Sequence, residues 1–222
     1  RFLGSMGIYV FNAGVLESVL SQHTSFDDFG HDIIPAAMEE RNVKAYFFNG
    51  YWADIGTIKT FYDANIALTN IKPPFVFSEG SNPIYTHARF LPGSRVEQCS
   101  VTNSFIADGG YIKAKEISNS IVGLRSRVAS NAEIYSSILM GADFYQTAES
   151  RAEDREAGRI PVGIGENTKT RNTIVDKNAR IGSNVRIGFK RYENDADHEN
   201  YVTRDGIVVI PKNAEIPDGT EI

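Results

Sequence analysis

From residue 106 onward, aliphatic residues return along the chain at a spacing that neither a helix nor a hairpin produces. Ile106, Ile112, Ile117, Val122, Val128, Ile134 and Leu139 follow one another at intervals of six, five, five, six, six and five residues. Ile164, Thr170, Val175, Ile181 and Ile187 form a second run, and Ile210, Ile216 and Ile222 a third. Small or β-branched residues stand four places after several of these, as at Ala179, Val185, Ala214 and Thr220. An α-helix would repeat its apolar face every ~3.6 residues and a half-buried strand every second residue. A six-residue period predicts a β-helix, in which each hexad makes one flat side of a prism and one aliphatic residue per side points inward. Coils stack about 4.8 Å apart, so each inward residue packs on its equivalents above and below. At roughly 1.5–3 kcal/mol per fully buried aliphatic side chain, a column of them makes a core.

Two stretches interrupt the period. Residues 143–161 are rich in Ala, Glu and Arg, and predict a loop carrying a helical turn. Residues 189–205 are strongly polar and predict an external excursion. Insertions of this kind lie on one face of a solenoid, either as a functional surface or as plain solvated loops.

Before residue 73 the pattern is mixed α/β. Ile8–Phe11 and Val43–Phe48 are β-branched and aromatic, and predict strands. Ala13–Leu20 and Phe29–Glu40 carry apolar residues near helical spacing, and Thr57 predicts the cap of a helix reaching Leu68. Lys72-Pro73-Pro74 reads as the linker, giving domains over residues 1–72 and 73–222. The first has too few elements for a complete open sheet and reads as the closing part of one. The chain opens at Arg1 and runs straight into an apolar pattern, so a further N-terminal part, with any targeting signal, is expected upstream.

Composition narrows the function classes. A formal net charge of −5 argues against a general nucleic-acid binder. No apolar run approaches the ~18 residues of a membrane span. The single cysteine, Cys99, excludes an intrachain disulfide or a cysteine-rich zinc site, reads as a small buried or half-buried residue, and fits a reducing compartment. His23, His31, His87 and His198 are scattered, and no two have metal-ligand spacing. Gly163-Ile164-Gly165 is too short for a phosphate loop and reads as a repeat corner.

An ordered set of motifs adds to this. Ser5-Met6-Gly7-Ile8-Tyr9-Val10, Gly50-Tyr51-Trp52-Ala53-Asp54-Ile55-Gly56-Thr57-Ile58 and Pro83-Ile84-Tyr85-Thr86 come first. Ser120-Ile121-Val122-Gly123-Leu124-Arg125-Ser126, Met140-Gly141-Ala142-Asp143-Phe144-Tyr145, Val162-Gly163-Ile164-Gly165 and Val175-Asp176-Lys177-Asn178-Ala179-Arg180-Ile181-Gly182 follow. In that order they resemble the ADP-glucose pyrophosphorylases (glucose-1-phosphate adenylyltransferases) of bacteria and plants, in register from Ser5 to Ile222. The resemblance implies the C-terminal portion of a Rossmann-like nucleotidyltransferase domain followed by a left-handed parallel β-helix, the hexapeptide-repeat solenoid. It implies a homotetramer or heterotetramer that makes ADP-glucose and pyrophosphate from ATP and glucose 1-phosphate, with Mg2+, for glycogen or starch synthesis. The compartment implied is the cytoplasm in a bacterium or the plastid in a plant. The family's glycine-rich phosphate loop, a metal-binding aspartate and the glutamate-lysine pair that grips the sugar phosphate are expected upstream, so this chain alone is expected to be inactive.

Residue by residue, the resemblance assigns Asp54 as a magnesium ligand; read without it, Asp54 is an aspartate capping the helix near Thr57. Ser5 matches a serine bonded to the glucose moiety, or else simply begins a strand. Gly4 replaces the family's usual alanine, and Ala53 its usual acidic residue. Tyr51 and Trp52 read as core aromatics, with a place in the sugar pocket as the alternative. Arg89, Lys177 and Lys212 match basic positions that hold phosphorylated effectors or inorganic phosphate, and are otherwise a structural arginine and solvated lysines. Lys212 falls within a hexad where its side chain should lie outside the prism. Two other readings share the solenoid: a hexapeptide acyltransferase, disfavoured because the regular hexads lack a histidine, and a non-catalytic regulatory paralogue.

Overall fold

The structure, a computed structural model, describes residues 4–77, 83–192 and 194–222. Residues 1–3 and Glu193, which fall within the first domain and the second interruption, lie outside it. The chain divides into two compact units, Arg1–Asp54 and Ile55–Ile222.

The first unit holds two helices, α1 (Ala13–Gln22) and α2 (Ile34–Glu40), the latter entered through a π-helical turn, Phe29–Ile33. The Asp28 carboxylate accepts from the His31 amide at 2.6 Å and starts that turn. Pro35 sits at the beginning of α2, where its missing N–H costs no helical bond. Val19, Ile33 and Ala37 are buried, and Phe29 stacks against Tyr9 and meets Phe11 edge-on. The two expected strands do not form: Ile8–Phe11 and Val43–Phe48 are irregular, and Val10 is 97% exposed. A strand exists only where a neighbour takes its backbone bonds, and no ladder forms among the described residues of this unit.

In the second unit, Thr57 caps α3 (Ile58–Ala67). Its hydroxyl accepts from the Thr60 amide at 3.1 Å, and the Thr60 hydroxyl accepts from the Thr57 amide at 3.1 Å. Sequence spacing places this helix before the linker; in the structure it packs on the outside of the solenoid. Tyr62 enters a cluster with Ile138, Ile174 and Ile207 and donates its hydroxyl to the Ser136 carbonyl at 2.6 Å.

The solenoid is a three-sided parallel β-helix. The single file of aliphatic residues in the sequence separates into three columns. One stacks Val96, Ile112, Val128, Ile164, Ile181 and Ile216. A second stacks Val101, Ile117, Ile134, Thr170 and Ile187. The third runs through Ile106, Val122, Leu139, Val175 and Ile210. From Ile112 to Ile210 these residues are buried, and they form one continuous core.

The corners are made by residues in the left-handed region, and asparagine supplies most of the non-glycine ones: Asn103, Asn119, Asn131, Asn167, Asn172, Asn178, Asn184 and Asn213 all have φ between 45° and 63°. Asparagine tolerates that region better than other side chains. Its amide then bonds the corner above, as in Asn178 to Asn213 at 3.2 Å and Asn167 to Asn184 at 3.3 Å. Where the next coil passes too closely, glycine is required: a Cβ on Gly141, at φ +84°, would run into the Leu124 carbonyl oxygen.

The first interruption contains α4 (Ala148–Glu156), the helical turn expected there. The second is more ordered than a polar excursion: Ala196–Asp197 pairs antiparallel with Val202–Arg204, which pairs antiparallel with Ile207–Ile210. A β-hairpin thus extends one side of the prism.

Candidate functional site

Coil stacking brings two distant lysines together. Lys177 and Lys212 each precede a left-handed asparagine, Asn178 and Asn213, at the same corner of successive coils, and the Asn213 amide donates to the Lys177 carbonyl at 3.1 Å. The lysines therefore lie one above the other on the outer surface. Both reach Asp143, the first residue of the first interruption: Lys177 Nζ lies 2.8 Å from Oδ1 and Lys212 Nζ 2.7 Å from Oδ2. Asn178 fixes that carboxylate, accepting from the Asp143 amide at 2.8 Å and donating to Oδ2 at 3.2 Å.

The Asp143 carboxyl is held far below the usual carboxylate range, first by Lys177, then by Lys212. Asp143 in turn raises Lys212, with Asp176 adding to the effect. All three side chains remain substantially exposed, at 42%, 50% and 39% for Lys177, Lys212 and Asp143. Each ammonium has three donors, so a bond to Asp143 leaves others to meet an anion from solvent. An anion here shares the lysines with Asp143 or displaces it.

Arg89 is exposed in an irregular segment, and no bond joins it to the lysine pair among the described residues. Ser5 is exposed; its Oγ lies 3.0 Å from the Tyr9 hydroxyl and accepts from the Gly7 amide at 3.1 Å. Asp54 closes the first unit and is exposed. The cap of α3 is Thr57, so capping does not account for Asp54. Tyr51 and Trp52, read as core aromatics, are 47% and 49% exposed.

Residues 89–221, more than half of the chain, match the family described as the GLGC left-handed parallel beta-helix domain. The chain belongs to that family. Residues 3–71 match the Nucleotidyl transferase family, so a nucleotidyltransferase domain precedes the left-handed β-helix, and the match includes α3.

Within this GLGC-type β-helix, Asp143 is the member of the corner that the hexad pattern did not reveal. It follows the Gly141-Ala142 corner by one residue, and only the register of Leu139 with Val175 and Ile210 sets it beside the lysines. No helix of the described residues is long and apolar enough to cross a membrane, and none of them form a group of three His, Cys, Asp or Glu side chains suited to a metal.

Proposed function

We propose that this chain is part of a glucose-1-phosphate adenylyltransferase, which transfers AMP from ATP to glucose 1-phosphate and releases pyrophosphate. One observation carries the reading: a nucleotidyl transferase match and a GLGC β-helix match follow each other in one chain. In such a transfer a phosphate oxygen of the sugar attacks the α-phosphorus in line, and the protein contributes position and charge rather than a nucleophile. Asp54 is an exposed carboxylate, a hard oxygen donor that suits Mg2+, which commonly takes one or two carboxylates together with substrate phosphates. When bound, that ion neutralises charge on the phosphates. Ser5 presents an exposed hydroxyl that can bond a sugar. Lys177 and Lys212 are the proposed seat of a phosphorylated effector or inorganic phosphate, working as members of a homotetramer or heterotetramer, with Arg89 as a third basic group. A coupling of about 1–3 kcal/mol between such sites is typical.

The test is ADP-glucose formation by the full-length protein from ATP and glucose 1-phosphate with Mg2+. Asp54→Asn is expected to lower turnover by about tenfold or more, and unchanged turnover at saturating Mg2+ removes Asp54 from the site. Lys212→Ala is expected to blunt the response to phosphorylated effectors while sparing activity without them. Equal loss in both conditions makes Lys212 structural.

A further inference from the structure

A second basic site lies on the solenoid, between its wall and the first interruption. A cavity of about 80 Å³ is lined there by Tyr111, Arg125, Arg127, Tyr145 and Arg151, and none of its lining residues is acidic. The three arginines come from three parts of the chain: a corner, the strand Arg127–Val128, and α4. Among the described residues, no carboxylate lies within salt-bridge distance of any of them. The acid of the interruption that acts on Arg151, Asp154, is already committed to Arg159 and Arg180.

What holds these guanidiniums is aromatic and backbone contact. Arg127 lies over the Tyr111 ring at 4.8 Å, and Arg125 over Tyr145 at 5.6 Å. Arg125 also donates to the Ala142 carbonyl at 3.4 Å and Arg151 to the Val162 carbonyl at 3.1 Å. A ring face attracts the cation but accepts none of its in-plane N–H bonds, so the planar donor forks remain available to an oxyanion. The crowding has an electrostatic signature. Burial, followed by the charges of Arg127 and Arg155, pushes the Arg151 guanidinium down to about 10. Like charges converge here without the carboxylate that balances Lys177 and Lys212 at Asp143.

We propose that Arg125, Arg127 and Arg151 form an oxyanion-binding site, for phosphate or the phosphate group of a small phosphate monoester, separate from the Lys177–Asp143–Lys212 corner. Binding adds the missing negative charge and ties α4 to the solenoid wall. The site stands on its own geometry and does not depend on the reaction proposed above.

Calorimetric titration of the full-length protein with inorganic phosphate, at low ionic strength, tests it. Saturable binding is expected in the parent and in the double variant Lys177→Ala/Lys212→Ala, weakened about tenfold or more by Arg127→Gln and by Arg151→Gln. Arg127 is exposed, so its variant is expected to fold, and unfolding scans without phosphate check both. The rise in Tm that phosphate gives the parent and the lysine double variant should shrink in the arginine variants. Glycerol 3-phosphate, a monoester that is not the proposed substrate, in a second arm separates the sources: tighter binding than phosphate that is lost in Arg127→Gln marks a monoester site, and equal binding a site for free phosphate. Absence of saturable binding overturns the proposal. So does binding that survives both arginine substitutions, and if the lysine double variant then abolishes it, the anion belongs to the Lys177–Lys212 corner.

Discussion

Asp154 shows how single carboxylates tie the interruption to the solenoid. It is buried and receives Arg180 Nη1 at 2.7 Å, Arg159 Nε at 2.8 Å and the Gln146 amide. Arg180 foremost, then Arg159 and Gln146, lower its carboxyl to about 2. Glu133, bonded by Tyr135 and flanked by Lys115 and Lys169, is likewise lowered to about 2. A carboxyl depressed on folding contributes stability above its unfolded pKa of ~4 and loses it as pH falls toward the folded value. The Tm is therefore expected to fall between about pH 4.5 and pH 2, and Asp154→Asn and Glu133→Gln should each flatten that fall while lowering Tm at pH 7. Unfolding scans across pH check both. At Asp143 the expected change has the other sign. Asp143→Asn removes the lysines' competing anion and should raise phosphate affinity at that corner by up to about fivefold, read by titration in an Arg127→Gln background. Lys177 and Lys212 were legible in the sequence as matches to basic positions of the family it resembles, and Lys212 also from its place within a hexad. Asp143 was not, since its place depends on how three coils align.

Among elements, the helices were better read than the strands. Thr57 announces α3 by its own capping chemistry, and Thr57→Ala is expected to cost about 1 kcal/mol, measured by denaturant unfolding. Where α3 packs was not legible, because the partners of Tyr62 lie more than seventy residues away. Burial there pushes the Tyr62 phenol up to about 12. The expected strands Ile8–Phe11 and Val43–Phe48 failed for the complementary reason: β-branched composition states what a strand accepts, while hydrogen bonding requires a neighbour. The hairpin inside the second interruption went unread although its signal is local: Asp205-Gly206, at φ 50° and 77°, is the two-residue turn that joins Val202–Arg204 to Ile207–Ile210. At the tight corner, Gly141→Ala should be costlier than an ordinary glycine substitution, since it combines left-handed strain with a clash against the Leu124 carbonyl. A marked loss of Tm is the expected outcome, and Gly158→Ala, where nothing lies within 4 Å, is the control for left-handed strain alone.

For the molecule as a whole, stacking between neighbouring coils carries the stability. Val96 and Val128 occupy the same column, yet Val96 is 43% exposed and Val128 only 1%. Val128 lies between Ile112 and Ile164. Val128→Ala is expected to cost about 2 kcal/mol, and Val96→Ala less than about 1 kcal/mol. Equal losses in denaturant titrations would contradict this account of the column.

The sequence by itself determined the β-helix, its interruptions and the Thr57 cap of α3, because each follows from the period or the chemistry of neighbouring residues. Tertiary structure decided which coil lies on which, and with it the lysine pair at Asp143, the arginines between α4 and the wall, and the seat of α3. A period defines what points inward, but only the accumulated register of coils of sixteen or seventeen residues, lengthened by insertions, defines which outward side chains meet.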